Sequence, residues 1–151
     1  MTRTAIYSGS FNPFTIGHLN IVMRGLALFD RIVVVRGINT AKPTATATRT
    51  LPGPAECEPL QQLVKEGCVE IADWEGLTVE IARQKGACAL LRGARTAADF
   101  DYERSMADIN RLLAPDIDTV ILPAQPELSM ISSSMVRELN AFHHDISSFI
   151  P

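Results

Sequence analysis

A chain of 151 residues can bury one substantial core, and its 46% hydrophobic and 21% charged content is ordinary for a globular protein. No apolar run can span a bilayer and no charged-then-apolar leader opens the chain, so one cytoplasmic domain over residues 1–151, with no membrane partner, is expected. A formal charge of −3 excludes a general nucleic-acid binder, and three dispersed cysteines, Cys57, Cys68 and Cys88, suit free thiols rather than a disulfide or zinc site.

In chain order, β-branched apolar runs alternate with helical spacing. Thr4–Tyr7 predicts a strand, and Leu19, Val22, Leu26 and Phe29 predict a helix after it. A second strand is expected at Ile32–Val35. Asn39 to Glu58 (NTAKPTATATRTLPGPAECE) lacks apolar periodicity and predicts an exposed, mobile loop, with a short helix around Pro59 to Lys65. Val69–Ala72 predicts a strand, Leu77, Ile81 and Ala82 a helix, and Ala89–Leu91 another strand. Tyr102, Met106, Ile109 and Leu113 then recur at helical spacing, Thr119–Leu122 is strand-like, and Met135 to Phe142 is helical. This alternation predicts an α/β fold: a doubly wound, Rossmann-like sheet of five parallel strands with helices on both faces. Ligands of such sheets sit at the carboxyl ends of the strands, where the winding direction switches.

Three post-strand loops carry the chemistry. The first is GSFNPFTIGH, Gly9 to His18. Gly9 suits close backbone approach or a positive φ, and Ser10 and Thr15 offer hydroxyls to phosphate oxygens, Thr15 also as a helix cap. Gly17 and His18 fall in the first helical turn, where free amides and the dipole attract anions. A histidine there can donate to a phosphoryl oxygen as charge develops. Each residue alone also fits a plain turn, cap or surface histidine; the whole spacing favours a phosphate-holding junction.

The second loop, LLRGARTAADFDYE, runs from Leu90 to Glu103. Arg92 and Arg95 flank Gly93 at the ligand edge, which favours anion binding over solvated charge. Asp99, Asp101 and Glu103 complement a helix dipole, and Glu103, one turn beyond Asp99, is expected to face the same cleft and accept from a ribose hydroxyl. The third loop, PAQPELSMISSSMVRE from Pro123 to Glu138, sets Ser132, Ser133 and Ser134 before a helix as a phosphate cradle. Arg137 is open to two readings, added charge or an exposed helix arginine. Lys42 lies near the same edge. Trp74 reads as packing, and His143 and His144 lack a metal-ligand pattern.

GSFNPFTIGH resembles the signature of the nucleotidyltransferase superfamily. With RGARTAADFDYE, NRLLAPDIDTVILP, ISSSMVRE and DISSFIP it resembles the bacterial phosphopantetheine adenylyltransferase family over nearly the whole chain. The resemblance implies that ATP and 4′-phosphopantetheine give dephospho-coenzyme A and pyrophosphate, assisted by Mg²⁺, by direct in-line attack without a covalent enzyme intermediate. By position, His18 matches the residue that stabilises the transition state and also contacts ATP. Ser10 and Phe11 match an ATP-contacting turn, Ser10 being shared with the second substrate. Gly93, Ala94, Arg95, Glu103, Leu128, Ser129, Met130, Ile131, Ser132, Ser133 and Ser134 match ATP-binding positions. Lys42, Thr78 and Arg92 match positions that hold the pantetheine substrate. The family implies a homo-oligomer, commonly a hexamer.

Three departures stand out. Asn12 replaces the family's usual aspartate, as in nicotinamide mononucleotide adenylyltransferases. TATATRTLPGPAECE follows Lys42 in place of the usual helix start, and Pro151 is reached without the further C-terminal helix of many members. Alternatives are therefore a nicotinamide mononucleotide adenylyltransferase or a catalytically weak nucleotide-binding regulator. A cytidylyltransferase or a flavin binder ranks lower.

Overall fold

Alternation along each strand sorts apolar side chains onto two faces, and helices cover both. The computed structural model describes residues 1–38 and 51–151. The strands β1 (Thr4–Gly9), β2 (Arg31–Gly37), β3 (Val69–Trp74), β4 (Ala89–Ala94) and β5 (Asp118–Pro123) form one parallel sheet in the order β3-β2-β1-β4-β5. The helices are α1 (Ile16–Gly25), α2 (Glu58–Lys65), α3 (Thr78–Gln84), α4 (Ala97–Leu113) and α5 (Ser133–Ala141). The predicted fold class and all five predicted strands are therefore present.

One face packs Ala5, Tyr7, Ile32, Val34 and Leu91 against Ile21 and Val22 of α1 and Leu60 of α2. The other packs Ile6, Val33, Val35 and Leu90 against Val79, Ile81 and Ala82 of α3. Each such aliphatic side chain contributes roughly 1.5–3 kcal/mol on burial. Gly25 lets α1 lie close on the sheet, because a Cβ there would stand 2.5 Å from Leu91 Cδ2. The helix stops at that residue, with Leu26 as its C-cap, so Phe29 packs from the following turn.

Two expectations change. The Tyr102, Met106, Ile109 and Leu113 stripe is helical but faces outward: Tyr102 is 62% and Ile109 50% exposed, and Glu103 alone is buried in α4. Residues 51–58 are not an exposed loop throughout. Pro54 and Cys57 are buried, and the Phe14 amide donates to the Pro52 carbonyl at 2.9 Å, so this part is pinned to the core. The rest of the predicted loop, including Lys42, lies outside the described residues.

Winding outward from β1 in both directions puts the switch point between β1 and β4, which pair directly. Their carboxyl ends, Ser8–Gly9 and Arg92–Ala94, are where a ligand of this fold belongs.

Candidate active site

The loop after β1 is shaped around one histidine. Thr15 caps α1: its Oγ1 accepts from the His18 amide at 3.3 Å, and its own N–H donates to His18 Nδ1 at 2.9 Å. This reciprocal capping box fixes the imidazole at the helix entrance. Thr15 is buried and its hydroxyl is engaged there, so it is a cap rather than a free phosphate donor. Gly9 serves the same packing. A Cβ at that position would stand 2.9 Å from the ring of Phe11, and the positive φ belongs to Phe11 (+48°) rather than to Gly9. Phe11, Phe14 and Tyr7 ring His18 at centroid distances of 5.0, 5.4 and 6.4 Å. Burial, with the positive charges of Arg92 and Arg95 nearby, lowers the His18 pKa from its ordinary value to about 4.

Arg92 leaves β4 on the α4 side of the sheet. Its Nε and Nη2 donate to Glu103 Oε2 and Oε1 at 2.8 and 2.9 Å, and its Nη1 donates to the Ser8 carbonyl at 2.5 Å and the Ser8 Oγ at 3.0 Å. Glu103 is thus the fork's orienting carboxylate. The expectation that Glu103 shares the Asp99 side of the cleft is corrected: Asp99 instead accepts from the Arg95 amide at 3.0 Å and pairs with the Arg95 side chain.

The serines at the start of α5 are all engaged through their hydroxyls. Ser132 Oγ accepts from the Met135 amide at 3.1 Å, Ser133 Oγ donates to the Pro13 carbonyl at 2.7 Å, and Ser134 Oγ accepts from Arg137 at 3.2 Å. Ser132 and Ser134 only accept, so their O–H groups stay free to donate, and with the first-turn amides other than that of Met135 and the dipole they are the anion-attracting groups of this helix end. Arg137 also donates to the Asn12 carbonyl at 2.6 Å, so α5 clamps the loop after β1 through Ser133 and Arg137 together.

Two cavities meet at this edge. A cleft of about 360 Å³ opens between α1, the end of β4 and α5, lined by Ser10, Phe11, His18, Gly93, Ala94, Arg95, Leu128, Ile131 and Ser132–Ser134. A smaller one, about 210 Å³, lies under α4 and is lined by Thr78, Glu103, Tyr102, Met106, Asn110 and Thr119. Ser8 and Arg92 line both. Among the predicted residues, Ser129 and Met130 line neither: Ser129 Oγ donates to the Pro126 carbonyl and Met130 is 80% exposed. The side chain of Asn12 is also outside both linings.

Sequence reasoning left Arg137 undecided and missed Tyr7, Asn20, Gln125 and Asn110. Two had a legible signal: Arg137 lies four residues after Ser133, and Asn110 seven after Glu103, each on one helical face. Asn20 and Gln125 meet across 105 residues of chain, at 3.3 Å, and carried none. Among the described residues no three His, Cys, Asp or Glu side chains cluster to hold a metal, and the larger cleft has no carboxylate in its lining. The donor set does not fit a resident cation.

The model of the cytidylyltransferase-like family matches residues 6–139. A phosphopantetheine adenylyltransferase from Porphyromonas gingivalis is 43% identical over 147 residues, 97% of this chain and 93% of that protein. One from Bacteroides fragilis is 43% identical over 150 residues, 99% of this chain and 96% of that protein. A crystal structure of a bifunctional NMN adenylyltransferase/ADP ribose pyrophosphatase from Francisella tularensis shares the fold, with a TM-score of 0.63 at 12% identity over 99% of this chain and 45% of that one. Glycine-histidine turn, arginine fork and serine-led helix thus stand together on a chain that belongs to the phosphopantetheine adenylyltransferase family of cytidylyltransferase-like nucleotidyltransferases.

Proposed function

We propose that this chain transfers the adenylyl group of ATP to 4′-phosphopantetheine, giving dephospho-coenzyme A and pyrophosphate in coenzyme A biosynthesis. The observation that carries this reading is the pair of cavities on opposite sides of the sheet edge that share Arg92 and Ser8. Two substrates held there have their phosphates brought together over one guanidinium.

In this reading ATP fills the larger cleft. Ser10, Phe11, Gly93 to Arg95 and the Leu128–Ser134 stretch hold the nucleotide, with the α5 amides and Arg137 facing its triphosphate. The pantetheine arm lies in the smaller cavity past Thr78 and Asn110, its phosphate on Arg92 and Lys42. Glu103 acts through Arg92. A phosphate oxygen of 4′-phosphopantetheine attacks the α-phosphorus of ATP, the bond to the β-phosphate oxygen breaks, and pyrophosphate leaves. No nucleophilic side chain is needed, so catalysis rests on alignment and on stabilising charge in the transferring phosphoryl group. His18 supplies the donor for that charge. Mg²⁺ enters as part of the Mg–ATP substrate.

A homo-oligomer, a hexamer by family, also belongs to this reading. The exposed apolar stripe of Phe100, Tyr102, Met106, Ile109 and Leu113 on α4 supports a partner surface. Among the described residues no helix is long and apolar enough to cross a membrane, which accords with a cytoplasmic enzyme.

Purified protein with Mg–ATP and either 4′-phosphopantetheine or nicotinamide mononucleotide tests the substrate. Pyrophosphate release with the pantetheine substrate is expected. Release with nicotinamide mononucleotide alone, or with neither, overturns the reading.

A further inference from the structure

Tyr7 and Leu91 are the last paired residues of β1 and β4, so Ser8 and Arg92 are the next two to stand side by side. Each follows by two residues a side chain of the α3-covered core face, Ile6 and Leu90, and so points to that same face, where both line the smaller cavity. They are also the two residues that line the larger cleft as well.

A guanidinium has five N–H donors. In Arg92, Nε and Nη2 each donate to Glu103, and Nη1 donates to both the carbonyl and the hydroxyl of Ser8. Counting one N–H per bond, four of the five are spent on the protein and one remains, on Nη2. A phosphate seated there meets the whole positive charge but a single free N–H, too few for the two-bond grip an arginine fork usually gives.

Ser8 carries the missing donor. Its Oγ accepts from Arg92 at 3.0 Å, and accepting leaves the hydroxyl proton unspent. Among the described residues no acceptor takes that proton, and Ser8 is half-buried. Ser8, Thr78, Tyr102 and Thr119 all bring hydroxyls to the smaller cavity, but only that of Ser8 is bonded to the guanidinium. A hydroxyl that accepts from a cation is polarised, which strengthens its own O–H as a donor.

We propose that Ser8 is a substrate-binding residue whose Oγ–H donates to the phosphate of the substrate in the smaller cavity, beside the remaining N–H of Arg92. This rests on the adenylyl-transfer reading above, in which that substrate is 4′-phosphopantetheine. The Ser8 carbonyl belongs to the backbone, so it still holds Nη1 when the side chain is changed.

Titration calorimetry with 4′-phosphopantetheine, and with pantetheine as the same arm without its phosphate, tests this in the native chain and in Ser8→Ala. The substitution should weaken 4′-phosphopantetheine by about tenfold, as for loss of a hydrogen bond to a charged group, and leave pantetheine within about twofold. A serine that merely braced Arg92 would have no effect once the arginine is gone. In the Arg92→Ala chain, Ser8→Ala should therefore still lower kcat/KM for 4′-phosphopantetheine by about threefold or more. Equal losses for the two ligands, no loss in the native background, or a loss that vanishes in the Arg92→Ala background each overturn the proposal. If the native chain neither binds 4′-phosphopantetheine nor releases pyrophosphate with it, the function reading fails and the proposal with it. If the native chain does both and Ser8→Ala matches it, the function stands and the proposal alone is overturned.

Discussion

Arg92 and Glu103 face each other through two parallel hydrogen bonds of 2.8 and 2.9 Å, and Ser8 takes the remaining edge of the guanidinium. The fork is therefore aimed before any substrate arrives. Lysine keeps the charge but not the planar, two-bond geometry. Arg92→Lys should raise KM for 4′-phosphopantetheine by about tenfold or more, since one charge-assisted bond contributes ~1.5–3 kcal/mol, with KM for ATP nearly unchanged. Steady-state kinetics with each substrate varied in turn separates the two. A rise for ATP alone would reassign the arginine.

The same pair bears on stability. The Glu103 side chain is only 9% exposed and that of Arg92 28%. Glu103→Ala leaves a half-buried cation without its partner, at a cost of roughly 2–3 kcal/mol, below the range for a fully buried pair because Arg92 keeps some solvent. Urea unfolding should show a lower midpoint with an unchanged slope.

Arg137 holds the Asn12 carbonyl and lines the larger cleft. Arg137→Ala should raise KM for ATP by about fivefold to tenfold through lost charge and a loosened clamp, and Arg137→Lys should recover part of it. An ATP KM that stays constant in both variants would make the arginine a surface residue.

His18 also sets a pH window for folding. Its folded pKa, about 4, lies below the ordinary 6.5, so the unfolded chain takes up the proton first. The stability it contributes is complete above pH 6.5 and is lost as pH falls towards 4. The melting temperature should fall more steeply across that window in the native chain than in His18→Gln. Parallel curves would mean that His18 is solvated and ordinary.

How much of this was legible beforehand follows from the range of each interaction. Strands such as Ile32–Val35 announce themselves locally, because β-branched runs have few other uses, and the α1 cap was visible as Thr15 three residues before His18. Periodicity identified α4 as a helix but could not say which side meets the sheet. Its apolar stripe faces out, while Glu103 turns inward because Arg92 compensates its charge. That pairing crosses from strand to helix and has no sequence period. The Pro-rich stretch looked structureless as composition, yet its end is anchored: Cys57 is part of the core cluster and the Pro52 carbonyl accepts from the Phe14 amide in the loop before α1. In the serine run only Ser133 spends its hydroxyl proton on the protein, on the Pro13 carbonyl 120 residues away, a contact with no local sequence signal.

Following the label from ATP marked at its α-phosphorus tests most directly whether two phosphates meet over Arg92. With 4′-phosphopantetheine present, the label should appear in dephospho-coenzyme A, one per pyrophosphate released, and never on the protein. Label trapped covalently on the chain, or transferred only to nicotinamide mononucleotide, would contradict direct transfer in this site.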